Sequence, residues 1–177
     1  MGKVVDLNAY KTHVMEQRAF GTWRRRFKAP FNLSTKLTDL SDGILLQLAT
    51  PGDESTAAFY ELIMGAIGLA PSQLFQSLDS EKKMAIVDIH LFLADQVRFE
   101  MLYRLGWIHG FHCQKRPILE MVISYQRFKK SCRRTPPELS VSHPGYAGLQ
   151  NLIPRDRAAY IRRLLPEALD AFKKKIS

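Results

Sequence analysis

The chain is poor in strand signals. Its 177 residues contain no sustained apolar–polar alternation bounded by hairpin dipeptides, which argues against a β-sandwich or barrel. It has only two cysteines, Cys113 and Cys132, too few for the disulfide framework of a small secreted domain. The start MGKVVDLNAYK lacks an apolar stretch of signal-peptide type. Asp6 stands where a myristoylation motif calls for serine or threonine. A reduced, cytoplasmic protein is therefore expected. The sequence also has no Gly-x-Ser-x-Gly elbow, no phosphate-loop motif around Gly65 and Gly68, no internal repeat and no low-complexity tract. No cofactor is expected.

What is present is helical pattern. Apolar residues make up 46% and charged residues 24%, an ordinary soluble composition that excludes wholesale disorder. The length suits one domain with a substantial core. The expected fold is all-α: a single-domain bundle over 1–177, with six to eight helices around a long central helix at about 81–108. A first helix is expected over 7–27, capped by Asp6 or Asn8, with Ala9, Tyr10 and Val14 as its apolar stripe. Ser41 is a cap for a short helix, and Asp53 or Ser55 for one running to Leu69. Gly65 and Gly68 are placed in that helix, where small residues allow close packing. Pro71-Ser72 is read as opening a short helix to Leu78. Pro117 suits the first turn of a helix to about Lys130, and Pro154 and Pro166 open two more. The stretch 135–153, with Pro136, Pro137, Pro144, Gly145 and Gly148, is the one long irregular segment. Segments of this kind act as lids, binding loops or surface wraps.

The central segment carries the most information. Seventeen of the 25 residues from Met84 to Ile108 are apolar and lie on every side of a helical projection, so the helix has to be buried. Five charges and His90 interrupt it, which argues against a membrane span. Asp88, Phe92, Asp95 and Phe99 follow i, i+4, i+7, i+11 and share one face. Two stacked carboxylates on an apolar helix repel unless a cation lies between them. They are a candidate metal or general-base site; the structural alternative pairs them with arginines from elsewhere. Glu100 and Arg104 have i, i+4 spacing and Asp95 and Arg98 i, i+3, so local pairs are available. His90 falls on another side and is expected to be a hydrogen-bonded core residue.

Weaker candidates lie outside that helix. His109, His112 and Cys113 cluster in HGFHC, with Cys132 and His143 as distant ligands that folding would have to bring in. His13 and Glu16 share a face, but the repeated Glu-x-x-His pattern of di-metal carboxylate proteins is missing. Cys113 lies near Lys115 and Arg116 without an identified base. Ser140, Ser142 and His143 match no known triad layout.

Charge is uneven along the chain. Net charge is +9, distributed as +5 over 1–40, −5 over 41–108 and +9 over 109–177. Candidate anion or nucleic-acid contacts are Arg24, Arg25 and Arg26, then Lys129, Lys130, Arg133 and Arg134, then Arg162 and Arg163. The alternative is a solvated basic surface that partly neutralises the acidic centre. Three functions fit: a non-catalytic binding or scaffold protein, with an unknown protein partner or as a homodimer; a nucleic-acid-binding protein using the basic regions; and a metal-dependent enzyme centred on Asp88 and Asp95 or on His109, His112 and Cys113.

Overall fold

Asp6 accepts hydrogen bonds from the backbone N–H groups of Asn8 and Ala9 and opens α1 (Leu7–Phe27). The computed structural model describes residues 6–69 and 75–177. Those residues form nine α-helices and no strand, so the fold is all-α. The first five residues, and the opening of a helix at Pro71-Ser72, lie outside them. The count exceeds the six to eight expected because one expected helix divides and a further short one forms in the irregular segment.

Ser41 caps α2 (Asp42–Ala49) through the N–H of Ile44. α3 (Asp53–Ala66) starts from Gly52 with no side-chain cap, and puts Asp53 and Glu54 in its first turn, where they complement the helix dipole. It ends three residues before the expected Leu69. Gly68 takes a positive φ of 84°, and the N–H groups of Gly68 and Leu69 reach back to the carbonyls of Gly65 and Met64. This is the Schellman closure that a glycine past the helix end permits. Gly68 is thus a terminator rather than a packing residue. Gly65 does allow close approach: a Cβ there would lie 2.6 Å from the Arg18 carbonyl carbon and 2.8 Å from Ala19 Cα of α1.

α4 (Ser80–Arg104) is capped by Asp79 and spans about 37 Å at the usual rise. It stops short of the expected Ile108 by the same device. Gly106 has φ 75°, and the N–H groups of Gly106 and Trp107 bond to the carbonyls of Tyr103 and Leu102. The chain then leaves the helix, and Ile108 forms an isolated antiparallel bridge with Leu139. The expected helix from Pro117 divides at Ser124 into α5 (Ile118–Ile123) and α6 (Tyr125–Arg134). The segment 135–153 is largely irregular, but Tyr146–Gln150 forms the short α7. The segment wraps the end of α4: Ser140 donates its N–H to Trp107 O and its hydroxyl to Gly106 O. α8 (Pro154–Arg163) and α9 (Leu165–Ile176) both begin with a proline in the first turn, as expected.

The buried apolar cluster runs from Ala19 to Phe172. α4 packs against α2, α3, α5, α6 and α9. The stripe expected on α1 is not the one buried. Ala9 and Tyr10 are exposed, and the inward face is Ala19, Phe20 and Trp23. Trp23 donates its indole N–H to Ala58 O at 2.7 Å, tying α1 to α3. Glu100, 1% exposed, lies inside this core. Its carboxylate accepts from Arg104 Nε at 2.8 Å and Gln114 Nε2 at 3.2 Å. Arg104 also reaches Asp42 and the Leu37 carbonyl. Burial alone would lower the pKa of Arg104; the hydrogen bonds to Asp42 and Glu100 outweigh it and raise it. Among the described residues no helix is long and apolar enough to cross a membrane.

Candidate functional site

Three helices present regularly spaced side chains to one cavity of about 720 Å³. α4 contributes Phe92, Asp95, Gln96 and Phe99, a face at i, i+3, i+4, i+7. α6 contributes Lys129, Cys132 and Arg133, and α8 contributes Pro154, Arg155, Ala158 and Arg162. Phe111 and His112 close one side, and Thr135, Pro136 and Pro137 another. The volume is in the range of small-molecule sites. The rings and prolines make an apolar interior. Four basic side chains and one carboxylate border it, so the site has a surplus of positive charge.

Asp95 is the one acidic group in this wall. It accepts from Arg162 at 2.7 and 3.1 Å, and Arg98 stands 3.9 Å away. The hydrogen bonds to Asp95 raise the pKa of Arg162. Burial lowers that of Arg98, whose Nε is enclosed without an acceptor. Arg133 and Arg155 have no carboxylate partner among the described residues. Gln96 is 2% exposed, and its Oε1 is buried with no donor to receive. Leaving such an acceptor unpaired costs about 1–3 kcal/mol, and the atom is enclosed rather than open to the cavity that other atoms of Gln96 line.

The two aspartates of the shared α4 face have separate partners. Asp95 faces Arg162, whereas Asp88 is half exposed and 4.0 Å from Lys129. His112 lines the cavity; His109 is exposed outside it. Cys113 is buried with its Sγ 3.3 Å from that of Cys132. The imidazole of His143 lies against Trp107, and its Nδ1 accepts from Gly145 N. Among the described residues no three His, Cys, Asp or Glu side chains converge as metal ligands would. Glu16, on the His13 face, is bound to Arg24 and the Leu33 N–H.

The basic candidates separate in the same way. Arg24 bonds to Glu16, Gln17 and the Phe31 carbonyl, Arg26 makes two bonds to Glu61, and Arg25 is exposed. Lys129, Arg133 and Arg162 border the cavity, while Lys130, Arg134 and Arg163 are exposed on the same two helices. α6 and α8 together hold nine basic side chains and one acidic. Gln96, Phe111 and Ala158 were not among the sequence candidates. The spacing 92, 95, 96, 99 was available to find the wall on α4, but only the fold brings α8 to it. No family model matches the chain, and neither does a curated protein or a solved structure.

Proposed function

We propose that the protein is a non-catalytic binding protein whose cavity takes a small organic anion with an apolar body. The observation that carries this reading is the cavity itself, with an apolar interior and a basic border. An apolar body suits the Phe92, Phe99, Phe111 and Pro137 surfaces, and a carboxylate or phosphate head suits Arg133 and Arg155. A second cavity of about 710 Å³ between the end of α1 and α2 offers no such preference, since its charged walls are one lysine, Lys28, and one aspartate, Asp39. The groups weighed for nucleophilic chemistry also support a binding role. Ser140 Oγ is bonded to Gly106 O and not to His143.

Isothermal titration with octyl phosphate, octanoate and octanol tests the reading. The two anions are expected to bind and octanol to bind at least about tenfold more weakly, a difference of about 1.4 kcal/mol. Ala158→Trp, which fills the cavity, should abolish binding. Equal affinity for octanol, or binding unaffected by the tryptophan, would refute the proposal. An oligonucleotide that binds with steep salt dependence, while the alkyl anions do not bind, would instead favour recognition of nucleic acid by the basic faces of α6 and α8.

A further inference from the structure

Cys113 and Cys132 are the only cysteines of the chain, 19 positions apart, and folding brings their sulfurs to 3.3 Å. Cys113 comes from the segment between α4 and α5 and is buried; Cys132 sits on α6 and is half buried. A buried thiol pair needs no explanation beyond packing when both sulfurs are sealed. Here one is not, because Cys132 lines the cavity described above, beside Arg133 and Lys129. A small solute that enters the cavity therefore meets Cys132 first, with Cys113 directly behind it.

We propose that Cys132 and Cys113 are an oxidisable dithiol, in which Cys132 is the attacking sulfur, Cys113 the resolving one, and a small peroxide the oxidant. The Cys132 thiolate attacks one peroxide oxygen. An S–O bond forms, the O–O bond breaks, and the departing hydroxide or alkoxide takes up a proton. The Cys113 sulfur then attacks Cys132; the S–S bond forms, the S–O bond breaks, and the hydroxide that leaves carries off the Cys113 proton as water. Two thiols and one peroxide give one disulfide, one water and one further water or alcohol. The electrostatics agree with this division of roles. The hydrogen bond from Cys113 lowers the pKa of Cys132, and the same bond, with burial, raises that of Cys113. The lower-pKa thiol is the better supplied with thiolate. The inference does not depend on the identity of the cavity's ligand.

The full-length protein is treated with hydrogen peroxide at near-stoichiometric amounts, then denatured, and its free thiols are counted. The expected result is loss of both thiols, a mass lower by two hydrogens, and a single 113–132 cross-linked peptide that a dithiol reductant reverses. Cys113→Ser should leave Cys132 as a sulfenic acid trapped by dimedone, and Cys132→Ser should leave Cys113 unreacted. The folded chain should react faster than the same chain in denaturant, which separates a built pair from two ordinary thiols. Two thiols still free, a cross-link between chains in place of one within the chain, or sulfenic acid formed first on Cys113 would each overturn the proposal. The wild-type measurement stands even if a variant fails to fold.

Discussion

The imidazole of His90 packs against the rings of Phe59 and Tyr60, at centroid distances of 5.2 and 5.3 Å. Burial, and then the charge of Arg98, lowers its pKa from the ordinary value of 6.5. The folded state thus favours neutral imidazole. Its contribution to stability is complete above about pH 6.5 and is lost as pH falls through the depressed folded value. His90→Leu removes this dependence. The melting temperature of the wild type should fall relative to that of the variant between about pH 7 and pH 5; parallel curves would contradict the assignment. Arg104 is a second residue-scale case. Arg104→Met leaves the Glu100 carboxylate in the core with only Gln114. Breaking such a pair costs about 3–5 kcal/mol, against about 0–1 for an exposed one, and urea denaturation distinguishes the two. The i, i+4 spacing of Glu100 and Arg104 was legible in the sequence. The contribution of Asp42, 62 positions away, was not, because only tertiary packing brings α2 to the end of α4. The expected hydrogen bond to His90 is replaced by ring contacts in the structure described.

At the scale of elements, two glycines inside helices should respond in opposite directions to the same change. Gly21 lies within α1, and a Cβ there meets nothing within 4 Å. Gly21→Ala is expected to stabilise by about 0.5–1 kcal/mol, the helix-propensity difference. Gly65→Ala sets a methyl against the backbone of α1 at Arg18 and Ala19, and should destabilise by about 1–3 kcal/mol despite its better propensity. Chemical denaturation of the two variants checks both signs; stabilisation by both would show that α1 and α3 do not approach as closely as described. Helix starts were more legible than helix ends. Ser41, Pro154 and Pro166 open helices as expected, and Asp6, one of the two caps expected for α1, is the one that caps it, because capping and proline chemistry are local; the cap expected at Asp53 or Ser55 is absent. The ends at Ala66 and Arg104 fell before the expected positions because apolar residues continue past the glycine-terminated last turn in each. The buried face of α1 was misplaced toward its exposed start, since Tyr10 and Val14 look like core residues until the partner helix is known.

For the whole molecule, the uneven charge seen along the chain acquires a spatial meaning. The basic surplus after residue 109 is concentrated on α6 and α8, and part of it borders the cavity against the Asp95 face of α4. The shared line of Asp88, Phe92, Asp95 and Phe99 was legible in the sequence, and three of those four residues form cavity wall. Its opposite walls were not legible, because α6, α8 and the prolines at 136 and 137 are separated from α4 by long stretches of chain. Gln96→Leu removes a buried acceptor that has no donor, so it should leave stability unchanged or raise it by about 1–3 kcal/mol. A large loss of stability in thermal unfolding would make Gln96 a structural residue.

The most direct test is a nuclear magnetic resonance titration of the full-length protein with octyl phosphate. Saturable shift changes are expected, confined to the side chains of Phe92, Gln96, Phe99, Phe111, Arg133 and Arg155. Changes centred instead on the cavity around Pro30, Asn32 and Gln47, or no saturable change at all, would contradict the proposed function.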